Sequence, residues 1–422
     1  MSFSKTNMVM ERLNNRFLAF GVQISLGLFL ITHFDSDRSD FRLFYNSAKE
    51  LTSGISPWNV NIHEYGNAYL NDPITLWFLT PLTFASYEMA LLIFRIINVA
   101  IAIIMLNILV KDNSLKILLV SSVFFLTTVT MRANLEYGAL GFLAFTIWLT
   151  AVYLIKKNEH LLLAGVLLAY TSMFKPQLYF INIVFLILGS RKLRLSFVAT
   201  IAVAIGITSI AIRKFMLIDW LEAIKLRAEI AQSDNLQMDF ACLLRILGVE
   251  KSGATVAYVL LVIITVLVIL RAQLIKTVLR SPVTMLMFAT TFSVFLHPTD
   301  LSVAAFVVLT TFVIKREITL FGLLAVSFLT VWSNDLAFSV ISGLVIFSLY
   351  WVLSAKHSEW KTVFALLVSG IPAVFALVVV NLPNIENFSR NASNYLGLFL
   401  LMIILLKQAV HAPIEEREKE GN

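Results

Sequence analysis

The chain has 422 residues, of which 59% are apolar, with a mean hydropathy of +0.84 and a formal net charge of +7. This composition excludes an ordinary soluble protein, in which about half of the residues are apolar and about a quarter are charged. The uncharged runs are continuous and often reach the roughly 17–25 residues that a helix needs to cross a bilayer, without the alternation of a β-barrel. The single cysteine, Cys242, excludes an intramolecular disulfide and a cysteine-based metal cluster. We therefore expect an all-α polytopic membrane protein, with residues 1–422 forming a single transmembrane domain.

The apolar runs predict about 12–14 transmembrane helices. They lie near residues 17–34, 87–110, 117–131, 137–155, 160–174, 177–190, 195–212, 255–270, 281–296, 301–314, 318–332, 336–354, 362–380 and 395–406. Loops on the side of the N-terminus hold about 20 basic residues, against about 13 in the longer loops on the other side. Under the positive-inside rule both termini and the tail 407–422 are cytoplasmic, and the loops 35–86 and 213–254 are extracytoplasmic. The same rule accounts for the basic net charge, so no nucleic-acid partner is expected.

The first external loop begins with concentrated charge. Its first eight residues hold three carboxylates and two guanidiniums: Asp35, Asp37, Arg38, Asp40 and Arg42. One interpretation is a solvated helix end, and the other is a catalytic carboxylate at the membrane surface. Phe44, Tyr45, Ala48 and Leu51 recur at helical spacing, which predicts an amphipathic helix at the interface that ends near Gly54. The apolar segment 74–84 is too short to cross and is expected to lie on or dip into the membrane.

Three bases lie at unusual positions near the external ends of apolar runs: Arg95, Arg132 and Lys175. Charge at such depth is costly in lipid and indicates function by default. The alternative for Arg95 and Arg132 is that they snorkel to headgroups. Lys175 precedes Pro176 inside a hydrophobic hairpin, where a lysine requires an anion, so a functional role is favoured there.

Two later external segments add candidates. The segment from Asp239 to Arg245 is predicted to form a short helix in the loop 213–254, where a solvated face is the alternative. His297 and Asp300 lie in a tight outward turn that suggests acid/base chemistry, but two potential ligands are too few for a metal site and a plain turn explains them equally well.

Several blocks stand in order along the chain. The first is the segment DFRLFYNSAKELTSGISPW from Asp40 to Trp58. The others are Pro81-Leu82 with Arg95-Ile-Ile-Asn98, Asn134-Leu-Glu-Tyr-Gly138, Ala164-Gly165 followed by Lys175-Pro176, and Leu296-His297-Pro298. This ordered set resembles the GT-C membrane glycosyltransferases, especially the GT87 group, and the first block matches the first external loop of that group. The chain departs from the group at Ala139, where Gln is usual, and at His297, where Ser is usual. These departures bear on the sugar and the acceptor.

The resemblance implies a GT-C-like helical bundle with amphipathic extracytoplasmic loop helices, in a multi-pass protein that we expect in the bacterial plasma membrane. It implies transfer of a hexose, with inversion, from a polyprenyl-phosphate donor to a glycan or glycolipid acceptor on the extracytoplasmic face. Inverting transfer needs a carboxylate that takes the proton of the acceptor hydroxyl, and cations that stabilise the departing phosphate. We assign the base to Asp40. Substrate binding is assigned to Arg42, Tyr45, Arg95, Arg132, Asn134, Lys175, Arg245 and His297.

A phosphate leaving group needs no proton, so neither a second catalytic acid nor a metal or other cofactor is expected. Two other functions remain open. A transporter or flippase of lipid-linked sugars is expected to show internal repeats, and no convincing repeat is visible. A polysaccharide polymerase or ligase uses similar external bases, and an oligosaccharide on a diphosphate donor would favour it over a monosaccharide on a single phosphate.

Overall fold

The computed structural model describes residues 2–33, 40–60, 73–110, 114–230, 244, 248–271, 282–291, 302–313, 316–331, 336–354, 357–380 and 386–411. All regular structure in these ranges is helical, which confirms the all-α prediction. The first eleven helices are α1 Ser2–His33, α2 Asp40–Thr52, α3 Pro73–Leu79, α4 Tyr87–Leu109, α5 Leu115–Thr127, α6 Val129–Tyr137, α7 Gly141–Lys157, α8 Leu161–Phe174, α9 Pro176–Leu188, α10 Arg191–Ala211 and α11 Met216–Ile230. A 3₁₀ helix, Thr80–Phe84, joins α3 to α4.

The remaining helices are α12 Lys251–Arg271, α13 Pro282–Thr291, α14 Ser302–Val308, α15 Leu320–Leu329, α16 Leu336–Leu353, α17 Glu359–Ser369, α18 Ile371–Val380 and α19 Glu386–His411. A π-helical turn, Leu309–Val313, continues α14. Among the described residues, four helical stretches are long and apolar enough to cross a membrane: Tyr87–Leu109, Arg191–Ala211, Leu336–Leu353 and Glu359–Val378. Shorter apolar helices accompany them, including Leu115–Thr127 and Leu161–Phe174.

The long helices expose large apolar side chains, as a bilayer requires and water does not tolerate. On α4, Ile104 and Ile108 are 58% and 68% exposed, and on α10 Val203 and Ile210 are similarly open. Their opposite faces are buried against neighbouring helices. This pattern identifies an integral membrane protein.

One predicted crossing is interrupted. The run 117–131 was expected to be one helix, but α5 ends at Thr127 and α6 starts at Val129, with Thr128 in an extended conformation between them. The Thr128 hydroxyl donates to the Phe125 carbonyl at 2.9 Å, a local bond of the kind that competes with helix continuation. Gly370 separates α17 from α18 but keeps right-handed helical angles, so Glu359–Val378 remains one stretch that is long enough to cross.

A second buried cluster, separate from the main core of the bundle, surrounds α2. We call it the α2 cluster, and its members are Phe41, Phe44, Tyr45, Ala48, Leu51, Trp58, Leu76, Leu79, Ala90, Leu91, Phe94, Leu140, Leu143, Ala144, Phe174, Ile212, Met216 and Ala223. It combines α2 and α3 with the starts of α4, α7 and α11 and the last residue of α8. Trp77 Nε1 donates to Thr208 Oγ1 at 3.0 Å and so ties α3 to the end of α10. The cluster therefore marks one end of the bundle.

The opposite end of the same helices is basic. Helix α7 starts beside the α2 cluster and ends with Lys156 and Lys157, and α10 starts with Arg191 and Lys192 before it reaches the cluster. These four side chains are exposed. The α2 cluster and the basic loops therefore lie at opposite ends of the helices.

Candidate active site

Helix α2 forms as its sequence predicts. Phe41, Phe44, Tyr45, Ala48 and Leu51 are buried in one stripe. Fully burying a side chain such as Phe41 contributes about 1.5–3 kcal/mol to stability. The helix ends at Thr52 before Gly54, whose φ of +77° lies in the left-handed region that favours glycine. The docked face thus fixes the orientation of α2 on the bundle.

Asp40 is the first residue of α2 and is exposed. A carboxylate in the first turn is favoured by the helix dipole. The next side chain, Phe41, is fully buried and stacks on Phe94 of α4 with ring centroids 5.0 Å apart. Asp40 therefore has an exposed side chain, and the residue that follows it, Phe41, anchors the start of α2 to α4.

Arg42 and Tyr45 occupy different faces of α2. Arg42 is exposed, and its guanidinium carbon lies 5.0 Å from the ring centroid of Tyr87, at the start of α4. Tyr45 is buried, and its hydroxyl donates to the Ala85 carbonyl at 2.7 Å. In the structure Tyr45 anchors α2 to the segment before α4, and its assignment to substrate binding stays a prediction.

Gly138 connects α2 to the end of α6. It adopts a left-handed φ of +61° and caps α6, as glycine commonly does at helix ends. A Cβ atom at this position would lie 2.5 Å from the Cβ of Phe41 and 3.3 Å from a methyl group of Leu91. The contact places the last turn of α6 next to the residue that follows Asp40.

Arg95 lies beneath this junction and is only 5% exposed. Its Nε donates to the Leu135 carbonyl at 2.8 Å, and an Nη donates to the Glu136 carbonyl at 3.5 Å. A cation at the C-terminal carbonyls of a helix also complements the helix dipole. The described contacts make Arg95 a buried support for α6, and its predicted role as a phosphate ligand is not tested by them.

Two other predicted residues lie on α6 itself. Asn134 is fully buried, and its Oδ1 accepts a hydrogen bond from the backbone N–H of Phe142 at 3.1 Å. Arg132 is partly exposed, forms an ion pair with Glu136 at 3.5 Å, and lies 4.5 Å over the ring of Phe338 from α16. Arg132 therefore presents its charge at the surface, whereas Asn134 ties α6 to the start of α7.

Lys175 stands at the break between α8 and α9. It is half-buried, with extended backbone angles that terminate α8 and start α9 at Pro176. Its Nζ lies 5.8 Å from the ring centroid of Phe174, a member of the α2 cluster. The broken hairpin that the sequence predicted is confirmed, and it brings Lys175 to the same end of the bundle as Asp40.

A buried polar network holds this broken hairpin. Trp148 Nε1 donates to Asn182 Oδ1 at 2.8 Å, and Asn182 Nδ2 donates to Ser172 Oγ at 2.7 Å. Polar side chains that bond across helices in this way stabilise packing in membranes. The network joins α7, α8 and α9 one to two turns from Lys175.

The predicted residues Arg245 and His297 lie outside the described residues, as does Cys242. Within the described ranges, no group of three or more His, Cys, Asp or Glu side chains is arranged to hold a metal ion. The structure thus brings Asp40, Arg42, Arg132 and Lys175 to one end of the bundle, on elements that share the α2 cluster or pack beside it.

Residues 69–298 match the sequence model of glycosyltransferase family 87, which covers more than half of the chain. The chain belongs to glycosyltransferase family 87. The match includes Arg95, Arg132, Asn134 and Lys175, whereas Asp40 and Phe338 lie outside it. Comparison with the curated proteins and with the solved structures yielded no match. This member of family 87 is therefore a membrane glycosyltransferase.

Sequence reasoning missed two further ionisable groups at this end of the family 87 protein. The first is Glu136, which the structure shows paired with Arg132. Asp219 on α11 is 1% exposed, and its Oδ1 forms an ion pair with Lys214. The hydrogen bond to Asp219 raises the pKa of the Lys214 ammonium above its ordinary value, against the opposing effect of desolvation. Helical periodicity places Asp219 on the same face of α11 as the buried Met216 and Ala223, and this spacing is the signal that could have identified it.

Proposed function

We propose that this family 87 enzyme transfers a hexose from a polyprenyl-phosphate donor to a glycan or glycolipid acceptor at the extracytoplasmic face of the bacterial plasma membrane. The observation that carries the proposal is the position of Asp40. It is an exposed carboxylate on a helix docked at one end of the bundle, with Arg132 and Lys175 at the same end. A base and two cations at a membrane surface are what transfer from a lipid phosphate requires.

In the proposed reaction Asp40 accepts the proton of an acceptor hydroxyl while the oxygen attacks the anomeric carbon. The bond between that carbon and the phosphate oxygen breaks, and the phosphate leaves with the electron pair. Attack from the face opposite the leaving group inverts the configuration. The phosphate departs as an anion at neutral pH, so no second acid takes part.

Cations stabilise the departing charge. Arg42, Arg132 and Lys175 are the described residues proposed for this task, because all are at least partly exposed at the correct end of the bundle. Arginine suits bidentate contact with phosphate oxygens, and lysine acts as a compact point charge. Arg245 and His297 remain proposed substrate ligands from the sequence.

The orientation of the site is proposed from charge. The exposed bases at the ends of α7 and α10 lie opposite the α2 cluster, and the positive-inside rule assigns such loops to the cytoplasm. The α2 cluster is then extracytoplasmic. The donor's polyprenyl chain would lie in the outer leaflet beside it, with both termini of the protein in the cytoplasm.

The direct test incubates the purified full-length protein with a panel of polyprenyl-phosphate hexoses and glycan or glycolipid acceptors. We expect one monosaccharide donor to yield a glycosylated acceptor of inverted configuration together with free polyprenyl phosphate. Transfer only of oligosaccharides from diphosphate donors would contradict the proposal and support a polymerase or ligase. Movement of the donor from one leaflet of a vesicle membrane to the other, without transfer of the hexose, would support a flippase.

A further inference from the structure

The backbone of Lys175 is tied to both helices that meet at the break. Its N–H donates to the Thr171 carbonyl at 2.9 Å, which closes the last turn of α8, and its carbonyl accepts from the N–H of Leu178 at 2.8 Å, which opens α9. Pro176 has no N–H, so it cannot donate to the Ser172 carbonyl as the next residue of a continuous helix would. The angle between α8 and α9 therefore depends on side-chain contacts between the two helices.

Asn182 on α9 supplies polar contacts of this kind. Its Nδ2 lies 2.7 Å from Ser172 Oγ, 3.3 Å from Thr171 Oγ1 and 3.2 Å from the Leu168 carbonyl, all on α8. We call these contacts the Asn182 bridge. Lys175 lies midway in the sequence between Leu168 and Asn182, so at the helical rise the bridge lies within about 10 Å of the break along each helix. It therefore links the two arms of the broken hairpin close to Lys175.

Trp148 on α7 determines which way the Asn182 amide faces. The indole Nε1–H of Trp148 can only donate, and it lies 2.8 Å from Asn182 Oδ1, so the amide nitrogen faces α8. Both side chains are fully buried. Polar groups in apolar surroundings are costly without hydrogen-bond partners, which favours the arrangement in which the bridge is closed. The angle of the hairpin is thus fixed from a third helix as well.

We propose that Asn182 is a positioning residue for Lys175 in donor binding. By fixing the angle between α8 and α9, the Asn182 bridge sets where the break, and with it the Lys175 ammonium, lies relative to the donor phosphate. An ammonium carries several N–H donors, so Lys175 can contact a phosphate together with its other neighbours. The inference rests on the proposed function, because it takes the polyprenyl phosphate as the anion that Lys175 contacts.

Double-mutant cycles test the inference through binding. The probe is polyprenyl phosphate, titrated into the detergent-purified full-length protein, and the variants are Asn182→Leu, Ser172→Ala and Lys175→Met, with Lys175→Met also combined with each of the others. Asn182→Leu should weaken binding about three- to tenfold, less than Lys175→Met, because the ammonium remains but is no longer held in place. Ser172→Ala removes one contact of the bridge and should cause a smaller loss. In the Lys175→Met background neither substitution should have a further effect.

The matched control is Asn107→Leu. Asn107 Nδ2 donates to Gln23 Oε1 at 2.9 Å, a bond that joins α4 to α1 near the end of α4 that lies away from the α2 cluster. Its loss should lower the melting temperature, as the loss of Asn182 does, but should leave the affinity for polyprenyl phosphate unchanged. The control therefore separates positioning of Lys175 from a general effect on stability.

Three results would overturn the inference: wild-type affinity in Asn182→Leu, an equal loss of affinity in Asn107→Leu, or equal losses from Asn182→Leu with and without Lys175. If Asn182→Leu does not fold, wild-type affinity in Ser172→Ala would overturn it instead. A wild-type protein that binds no polyprenyl phosphate would overturn both the inference and the proposed function. Normal binding and normal coupling without hexose transfer would overturn the proposed function alone.

Discussion

Gly138 lies directly against Phe41, so that a Cβ atom on Gly138 would come within 2.5 Å of the Cβ of Phe41. The contact joins the end of α6, where Arg132 and Glu136 lie, to the start of α2, where Asp40 lies. The position of Asp40, the proposed base, relative to Arg132, a proposed phosphate ligand, therefore depends on the absence of a side chain at residue 138.

The first prediction is that Gly138→Ala destabilises the protein and reduces transfer. Alanine in a left-handed conformation costs about 1–2 kcal/mol, and the clash with Phe41 adds about 1–3 kcal/mol unless α2 moves. Thermal unfolding in detergent measures the first effect and a transfer assay the second. Gly206→Ala is the control, because nothing lies within 4 Å of its added Cβ, and its melting temperature should not fall. Equal behaviour of the two variants would show that the junction tolerates movement.

The second prediction concerns Arg95. Arg95→Met should lower the free energy of unfolding by about 1–3 kcal/mol, because the carbonyls of Leu135 and Glu136 lose a buried donor. Arg213→Met is the control: Arg213 is exposed, so its loss should leave the melting temperature unchanged. If Arg95→Met keeps the wild-type melting temperature but loses affinity for polyprenyl phosphate, Arg95 is a donor ligand rather than a support for α6.

The third prediction is that Lys175 contacts the donor phosphate. Lys175→Met keeps the aliphatic stem and removes the charge, and loss of one charge-assisted contact should weaken donor binding by about 1.5–3 kcal/mol. Lys225→Met, which removes an exposed lysine on α11, should not change it. Titration of the donor into both variants makes the comparison. Unchanged affinity in a normally folded Lys175→Met variant would leave Lys175 with the structural role of separating α8 from α9.

The fourth prediction tests the orientation. Cys242 is the only thiol in the chain and is expected in the extracytoplasmic loop 213–254, so a membrane-impermeant maleimide should label it in intact spheroplasts. Ser39→Cys in a Cys242→Ser background should behave likewise. Labelling of both only after permeabilisation would place Asp40 in the cytoplasm and contradict the proposed mechanism.

The sequence was sufficient to predict the elements that local pattern determines. The amphipathic spacing of Phe44, Tyr45, Ala48 and Leu51 predicted α2, and Pro176 predicted the break beside Lys175; both predictions are confirmed. In each case neighbouring residues alone decide the backbone conformation. The break at Thr128 was missed because hydropathy averages over a run and does not register one hydroxyl that bonds to its own helix.

Contacts between distant segments could not be predicted in this way. Arg95 is an example. Its charge inside an apolar run predicted a functional role, but only the tertiary structure shows that its guanidinium donates to the carbonyls of α6. Phe338 is one of 33 phenylalanines, and nothing in its local sequence distinguishes it. Its contact with Arg132 arises from how α16 packs on α5, which no single-sequence pattern encodes.

The central claim is that Asp40 is the general base, and its most direct test measures transfer and donor binding together in Asp40→Asn. Asparagine keeps the size and the hydrogen bonding of the side chain but cannot accept the proton, so transfer should fall about 10²- to 10⁴-fold. Donor binding should persist, because the cationic residues are unchanged. Asp35→Asn and Asp37→Asn, measured alongside, should retain most of the activity. Near-normal transfer by Asp40→Asn would contradict the account, and a selective loss in Asp37→Asn would move the base to that residue.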